Sequence, residues 1–556
     1  MVRALTSSNQ FHTTVHFRSD RWELTPGTWT ARTRLFVLLV AMIHVAVVWS
    51  LRTPIVTTGQ DDAEYILLSR EIAQGNYRDS HDVNAPMHAR YPPGYPAFLA
   101  GVRALAGDRE PAYLLVNALL SGGALLLFLV WGCRNLSSPT WFAIAALVTL
   151  NPELIFLSGK ILSEPLFFFF VYLTLWAESQ SATTERATWA TVAASVTTLV
   201  RSAGLAIPVG LIGARLFQRR WIAAAALTIL TALSGGLWAW NSARAPQAAE
   251  RLLYVADLQK VAALEEHSAI GALVQRVRYK AEELTLDELP TALSVPAIPG
   301  TWIDNAMGAL VIVVLLPLGI LCLWKRSKTA AAMLLAYGAL YVVWPYGQVR
   351  LIVPVVPLIL VAMFLAAEFI GARIRRSWAV PVAIGSLTLY LAIGVILRLG
   401  RDRDYLSGCD RGHAPYSQPA CYPMEGDWTF LQATKYVKEN LPADAVVFTV
   451  KEPTFYYHSG RKTVNLLVLL KEDSTTLAKT LRQRGVGWVV TSYSGPSRTQ
   501  MGKLVASACR DFDLVKQIDA RTMVLRVRPA GQTDGETACG ALTTWRQDPG
   551  RPEAAN

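Results

Sequence analysis

The chain has 556 residues, of which 52% are hydrophobic and 17% are charged, and its mean hydropathy is +0.30. A mainly soluble protein does not carry this much apolar sequence, so the composition predicts an integral membrane protein. The net charge of +12 does not require a nucleic-acid partner, because lysines and arginines in short loops can face anionic lipid headgroups.

Eleven apolar stretches precede residue 400, and each is read as a helix of the roughly 20 residues that cross a bilayer. The stretches are 34–51, 110–131, 139–157, 161–178, 188–201, 203–218, 221–240, 303–324, 329–346, 350–370 and 377–398. Arg201 and Gly204 interrupt the apolar run that holds the fifth and sixth stretches. That run is equally compatible with one bent or re-entrant segment, which would reverse the orientation of everything downstream.

The distribution of basic residues predicts the orientation, because short cytoplasmic loops collect Lys and Arg and exported loops do not. A cytoplasmic N-terminus and eleven crossings place these on the cytoplasmic side: Arg18, Arg21, Arg32, Arg34, Arg134, Arg215, Arg219, Arg220, Lys325, Arg326, Lys328, Arg373, Arg375 and Arg376. Residues 1–33 are then a cytoplasmic tail before a signal anchor, since no small-x-small cleavage site follows the first apolar stretch. Residues 34–400 are the predicted transmembrane domain, and residues 401–556 are an exported domain.

Four of the six cysteines lie in this last segment, where an oxidising compartment would permit disulfides. Four cysteines allow three pairings, and proximity in the sequence favours Cys409 with Cys421 and Cys509 with Cys539. Four free thiols in a cytoplasmic tail are the alternative. The sequence has no CxxC spacing, so it predicts no zinc or redox site there.

The segment after residue 400 also predicts a small α/β domain. Asp427 is expected to cap a helix that ends at Asn440, and Ser474 a helix that stops at Gly485. Three runs rich in β-branched residues predict strands at 445–450, 486–493 and 522–529.

Two adjacent acids, Asp61 and Asp62, lie in the first predicted exported loop, residues 52–109. The residues after the pair place Tyr65 and two aliphatic side chains on one helical face, as an interfacial helix requires. The proline-rich string at 91–96 leads into a second short helix. Two other exported segments can meet this loop: residues 241–302 and the turn from Tyr346 to Arg350.

The acidic pair and three strings occur in an order typical of one enzyme family. The strings are YPPGYP at 91–96, LSEPLF at 162–167 and VRLIVPVVPLIL at 349–360. With them the chain resembles the GT-C glycosyltransferases that use polyprenyl-phosphate sugars, such as protein O-mannosyltransferases and lipid A aminoarabinose transferases. It is most similar to the bacterial group related to rhizobial lipopolysaccharide core sugar transferases.

The resemblance implies an α-helical polytopic fold of about 11 transmembrane helices with a small exported α/β domain. It also implies an inverting glycosyltransferase in the bacterial inner membrane. The enzyme would move a sugar from a polyprenyl-phosphate donor to a hydroxyl of a periplasmic glycan, lipid or protein. No cofactor is required, and a divalent cation that bridges Asp61 and a phosphate is kept as an alternative.

In such an enzyme Asp61 matches the family's first acidic position and is the candidate general base. Asp62 is expected to hold Asp61 in place or to raise its pKa by like-charge repulsion. The alternative is that both acids only cap or solvate the helix. The loop tyrosines Tyr65, Tyr91 and Tyr95 are expected to position the acceptor or the loop.

A lipid phosphate is a good leaving group and needs no general acid, but positive side chains can stabilise its charge as it leaves. Arg350 matches the basic position of the family's R-x-x-x-P signature and is the first candidate, followed by Lys160 and Arg90. Each can instead snorkel to headgroups. Arg201 lies within an apolar run and needs a partner. Glu164 either supports the donor phosphate site or pairs with Lys160 one helical turn earlier.

Two other classes of function remain open from the sequence. A transporter or lipid flippase would be expected to contain internal repeats, and none is found. A catalytically inactive scaffold with a carbohydrate-binding tail is the other alternative. Retention of the acidic and basic positions argues mildly against it.

Overall fold

The computed structural model describes most of the chain. The described ranges are 15–18, 21–24, 30–56, 61–180, 184–244, 269–296, 302–344, 347–410, 415–422, 426–464, 469–470, 473–494, 498–532 and 536–547. Most of the predicted tail 1–33 and much of the predicted loop 241–302 lie outside these ranges. Within the tail, β1 (Val15–Arg18) and β2 (Arg21–Leu24) pair as an antiparallel ribbon.

Helices occupy all eleven apolar stretches predicted from the sequence. They are α1 (Ala31–Ser50), α4 (Glu110–Asn135), α5 (Ser138–Thr149), α6 (Pro152–Ser158), α7 (Glu164–Ser179), α8 (Thr184–Val200), α9 (Ala206–Phe217), α10 (Trp221–Arg244), α13 (Trp302–Arg326), α14 (Lys328–Val343), α15 (Val349–Ile352), α16 (Val356–Arg373) and α17 (Ala379–Ser407). The segments between them hold α2 (Asp61–Ile72), α3 (Gly94–Ala106), α11 (Ala269–Glu283) and α12 (Leu289–Ala292).

Within the described residues, six helices are each long and apolar enough to cross a membrane alone, and α5 with α6 is a seventh candidate. The count of eleven crossings therefore stays a prediction. The bend of 46° between α5 and α6 has a local cause. Asn151 accepts a hydrogen bond from the Leu154 N–H as an N-cap, and Pro152 follows at the first helical position.

The interruption predicted at Arg201 is also present. Helix α8 ends at Val200, a 3₁₀ turn covers Ser202–Leu205, and α9 starts at Ala206. Gly204 allows the turn to fold back tightly, because a Cβ on it would lie 2.0 Å from the carbonyl oxygen of Thr197. Arg201 therefore sits at a break in the helix, where its side chain can turn toward the neighbouring helices.

The segment after residue 407 forms the predicted α/β unit around a four-stranded sheet. Its strands are β3 (Val447–Thr449), β4 (Trp488–Thr491), β5 (Phe512–Gln517) and β6 (Met523–Val527), in the order β3-β4-β6-β5. Strands β3 and β4 are parallel, and the other two pairings are antiparallel. Its helices are α18 (Asp427–Asn440), α19 (Glu452–Ser459), α20 (Leu477–Gln483), α21 (Arg498–Ser507), α22 (Glu536–Ala541) and α23 (Thr543–Gln547).

Three strands and two helices of this unit were predicted, whereas β5 was missed because it is an edge strand with half of its side chains exposed. The predicted cap of α18 is wrong. Gly426 takes the N-cap position, and Asp427 is buried, where its Oδ1 pairs with Lys451 Nζ at 2.7 Å. Helix α20 begins at Leu477, three residues after the predicted cap Ser474.

Both disulfides favoured by the sequence are present, Cys409 with Cys421 and Cys509 with Cys539. The other two cysteines, Cys133 and Cys322, are free.

The α/β unit packs against the loop that contains α2. The Thr463 N–H donates to the His81 carbonyl over 2.8 Å, and the Thr463 carbonyl accepts from the Val83 N–H over 2.9 Å. The hydroxyls of Tyr416 and Tyr457 each donate to the Glu110 carboxylate over 2.7 Å. The unit is therefore joined to the membrane part through the same loop that carries the acidic pair.

Candidate functional site

Asp61, Glu164 and Arg350 form an ion-pair bridge between three segments that are far apart in the chain. Arg350 Nη1 lies 2.8 Å from Asp61 Oδ2, and Arg350 Nε donates to Glu164 Oε1 over 2.8 Å. Asp61 begins α2, Glu164 begins α7, and Arg350 lies in α15. A guanidinium can hold two carboxylates in this way because its N–H groups form a rigid planar fork. Three residues predicted for the site are thus in direct contact.

Arg201 is the second cation on Glu164, whose side chain is fully buried. Its Nη1 lies 2.5 Å from Glu164 Oε1 and donates to Ser163 Oγ over 3.2 Å. The partner that Arg201 was predicted to need is therefore present. The alternative pairing of Glu164 with Lys160 is wrong, since both ion-pair partners of Glu164 come from other segments. Within the described residues, Glu164 Oε2 has no hydrogen-bond partner.

The Asp61 carboxylate is buried and contacted on both oxygens. Its Oδ1 accepts from the Tyr91 hydroxyl over 2.6 Å, while Oδ2 faces Arg350. Burial raises the pKa of Asp61, but the charges of Arg350 and Arg90 and the Tyr91 hydrogen bond outweigh it and hold that pKa below its usual range. Asp61 is consequently ionised at neutral pH, the state that can accept a proton.

The pKa of Asp61 is lowered and not raised, because the nearby positive charges outweigh other influences. The effect of Asp62 on Asp61 stays a prediction. Asp62 Oδ1 accepts from the Ala63 N–H over 2.8 Å. The Asp62 side chain is buried and lines a small pocket together with Lys160. The two adjacent acids therefore have different surroundings.

Lys160 lies in the turn between α6 and α7, and only 3% of it is exposed. Its Nζ stands 3.3 Å from the centroid of the Phe156 ring, a cation–π contact. Burial lowers the pKa of Lys160 to about 7, although the negative charge of Asp62 acts against this shift. The pocket is lined by Thr53, Pro54, Ile55, Val56, Asp62, Glu110, Leu114, Lys160 and Ile161.

Arg90 is exposed, and its guanidinium lies 5.1 Å from the centroid of the Tyr91 ring. Its charge is one of those that lower the pKa of Asp61. Arg90 is thus exposed and close enough to the acid to affect its pKa.

The loop tyrosines pack as one aromatic group behind the acid. The Tyr65 ring lies 5.0 Å from that of Tyr91 and 4.9 Å from that of Tyr95. The Tyr65 hydroxyl contacts Ser163 Oγ at 3.2 Å, and Asn117 Nδ2 donates to the Tyr95 hydroxyl over 2.9 Å. That these tyrosines position the acceptor or the loop stays a prediction.

Sequence reasoning gave no role to Asn117, Ser163 or His88. Asn117 Nδ2 also donates to the Lys160 carbonyl over 2.6 Å and so fixes the turn before α7. An asparagine in the middle of an apolar span is the signal that identifies this position, because a buried amide requires hydrogen-bond partners.

The alternative of a divalent cation on Asp61 stays a prediction, and the partners of Asp61 argue against it. Tyr91 and Arg350 contact the two oxygens of Asp61, and the Arg350 guanidinium would repel a second cation at that place. No step of the reaction is therefore assigned to a metal.

No protein-family model matches the chain, and no curated protein is similar to it in sequence. Solved structures do match. ArnT from Cupriavidus metallidurans bound to undecaprenyl phosphate is 14% identical, with a TM-score of 0.52 over 90% of this chain and 99% of that one. The Archaeoglobus fulgidus oligosaccharyltransferase in the apo form is 12% identical, with a TM-score of 0.52, and the match covers 87% of this chain and 73% of that one. The structure of the same enzyme in complex with Zn and sulfate is 11% identical, with a TM-score of 0.54, and the match covers 85% of this chain and 71% of that one.

At this level of identity the likeness concerns the fold. It confirms the resemblance to GT-C glycosyltransferases as a shared architecture over most of the chain. The apolar helices and these neighbours together describe a multi-pass membrane protein. The chain therefore has the polytopic GT-C fold found in ArnT and in the archaeal oligosaccharyltransferase.

Proposed function

We propose that this protein is an inverting glycosyltransferase that moves a sugar from a polyprenyl-phosphate donor to an acceptor hydroxyl. The observation that carries the proposal is the bridge of Asp61, Arg350 and Glu164, which places an ionised carboxylate beside a fixed cation on a GT-C fold. A carboxylate base and a cation for phosphate are the two groups that a single displacement at the anomeric carbon requires.

Asp61 acts as the general base. As the acceptor oxygen forms its bond to the anomeric carbon, its proton passes to Asp61, and the bond from that carbon to the phosphate oxygen breaks. The base and the leaving phosphate stand on opposite faces of the sugar, so the configuration inverts. The lowered pKa of Asp61 ensures that the carboxylate is unprotonated before the reaction at neutral pH.

Arg350 couples the two ends of this displacement. Its charge is balanced by Asp61 and Glu164 before the reaction. When Asp61 takes the acceptor proton, it loses its negative charge at the moment when the leaving phosphate gains one. The guanidinium can then stabilise the phosphate, which lowers the free energy of the transition state.

Arg90 and Lys160 are the proposed phosphate contacts of the bound donor. Arg90 is exposed beside Asp61, and Lys160 is buried in the pocket that Asp62 also lines, with its ammonium over the Phe156 ring. Arg201 holds the Glu164 carboxylate in place through their ion pair. The lipid tail would lie between the apolar helices.

The proposed location is the bacterial inner membrane, with the N-terminal tail in the cytoplasm and residues 401–556 in the periplasm as one α/β domain. The two disulfides support an exported domain, because such bonds persist in oxidising compartments.

The substitution Lys435→Cys at an exposed position tests this orientation. A membrane-impermeant maleimide should label this variant in intact spheroplasts. Labelling only after lysis would place the domain in the cytoplasm.

The activity is tested in proteoliposomes with radiolabelled polyprenyl-phosphate sugars and cell-envelope acceptors. We expect sugar transfer by the wild type and a loss of about a hundredfold or more in Asp61→Asn, the scale of a missing general base. Asp513→Asn is a matched control, because Asp513 also pairs with arginines but lies on the sheet of the α/β domain. Equal transfer by wild type and Asp61→Asn would remove Asp61 as the base.

A further inference from the structure

Tyr91, which donates to Asp61, is held on both sides of its own backbone. Its N–H donates to His88 Nε2 over 2.8 Å, and its carbonyl accepts from the Tyr77 hydroxyl over 2.8 Å. The rings of His88 and Tyr91 also stack, with centroids 5.4 Å apart. The position of the Tyr91 hydroxyl is thus fixed by neighbouring side chains of the same loop.

The contact with the Tyr91 N–H decides which nitrogen of His88 carries the proton. A backbone N–H can only donate, so Nε2 must be unprotonated and accept. The neutral imidazole then has its proton on Nδ1, which lies 2.5 Å from Asp79 Oδ1. Burial lowers the pKa of His88 to about 3, and the charge of Arg90 acts in the same direction, so this neutral form persists at neutral pH.

A metal ion is the obvious other reading of this group of residues. Glu64, Asp79 and His88 offer ligand atoms that lie within 4.8 Å of one another. A metal on His88 Nδ1 would displace the proton to Nε2, which would then oppose the Tyr91 N–H, donor against donor. The hydrogen bond to Tyr91 therefore favours a histidine that donates to Asp79 over one that binds a metal.

We propose that Asp79, His88 and Tyr77 are positioning residues for the transferase reaction, and that they act by holding the Tyr91 hydroxyl against Asp61. The inference rests on the proposed function, because it treats Asp61 as the base. The contacts run from Asp79 to His88, from His88 to the Tyr91 backbone, and from the Tyr91 hydroxyl to Asp61 Oδ1. These contacts involve only Oδ1 of Asp61, and Oδ2 faces Arg350.

Two substitutions of His88 separate the two hydrogen bonds of its ring. Asparagine can place an N–H near the position of Nδ1 and keep the contact with Asp79, but it has no atom near Nε2. Glutamine can place its oxygen near Nε2 and accept from the Tyr91 N–H. We expect kcat to fall about tenfold in His88→Asn, the scale of one lost hydrogen bond, and less than about threefold in His88→Gln. The KM for the donor should be unchanged in both.

The pH profile distinguishes positioning from a general loss of structure. Because the Tyr91 hydrogen bond lowers the pKa of Asp61, its loss should move the acid limb of kcat/KM to higher pH. Tyr91→Phe and His88→Asn should show this shift, and the double variant should equal Tyr91→Phe alone. Additive effects in the double variant, or an unchanged acid limb in His88→Asn, would overturn the proposal. If His88→Asn does not fold, Tyr77→Phe provides the same test, because it removes the hydrogen bond to the Tyr91 carbonyl.

A cryo-EM structure of His88→Asn tests the geometry independently of activity. We expect the Tyr91 hydroxyl to lie beyond hydrogen-bond distance of Asp61, more than about 3.5 Å away. A hydroxyl still 2.6 Å from Asp61 would refute the positioning role, whatever the reaction is. A wild type that transfers no sugar from any polyprenyl-phosphate donor would instead refute the proposed function, and the structure would still decide the role of His88.

Discussion

Arg350 Nη1 lies 2.8 Å from Asp61 Oδ2, across a sequence separation of nearly 300 residues. The same guanidinium holds Glu164, so one side chain fixes the start of α2 to the start of α7. The contact also determines the chemistry of the acid, because the Arg350 charge is the largest influence that lowers the pKa of Asp61. Position and protonation state of the proposed base thus depend on one residue.

Arg350→Met is expected to reduce kcat/KM by about a hundredfold or more, since it removes both the orientation of Asp61 and the charge offered to the phosphate. The acid limb of the pH profile should also move to higher pH, because Arg350 lowers the pKa of Asp61. Steady-state kinetics between pH 4 and pH 8 measure both effects.

Arg398→Met is the matched control. Arg398 pairs with Glu153 at 2.5 Å, and its side chain is 29% exposed, against 26% for Arg350. Equal losses in the two variants would show that the effect of Arg350 is structural.

Lys160 is expected to make donor binding depend on pH near neutrality. Its pKa of about 7 means that the ammonium is mostly charged at pH 6 and mostly neutral at pH 8. If the ammonium contacts the donor phosphate, the KM for the donor should rise about tenfold over this range, as the charged fraction falls. In Lys160→Arg the guanidinium stays charged and the KM should be constant. A wild-type KM that does not change between pH 6 and pH 8 would contradict this role.

Removal of divalent cations is expected to leave sugar transfer unchanged, because the Arg350 guanidinium already supplies a positive charge beside Asp61. Transfer assayed after dialysis against EDTA, with and without added Mg²⁺, Mn²⁺ or Zn²⁺, measures this. A loss with EDTA that a single metal ion restores would contradict this prediction.

Lys451→Ala is expected to destabilise the α/β domain by about 3–5 kcal/mol, since it leaves the Asp427 carboxylate buried without its cation. Both side chains of this pair are almost fully buried, at 0% and 1% exposure. Lys435→Ala removes an exposed lysine from a pair with Glu439 and should cost less than about 1 kcal/mol. Thermal unfolding of the detergent-solubilised full chain compares the two, and equal melting temperatures would contradict the prediction.

Local patterns determined much of the architecture. The apolar stretches predicted where helices form, because apolarity and helical hydrogen bonding act within one segment of chain. Proximity predicted the two disulfides, and the β-branched runs predicted β3, β4 and β6. Whether each short helix crosses the bilayer does not follow from such patterns, since α9 and α14 owe their burial to neighbouring helices.

The candidate site divides in the same way. The sequence identified Arg201 and Glu164 as charged residues in apolar runs that need partners. The family resemblance identified Asp61 and Arg350. Only the tertiary structure decided which partners they have: Arg350 joins Asp61 to Glu164, whereas Lys160 lies beside Asp62. The reason is that a buried charge is stabilised by whatever lies within a few ångströms, and that distance is set by helix packing between segments that the sequence does not place side by side.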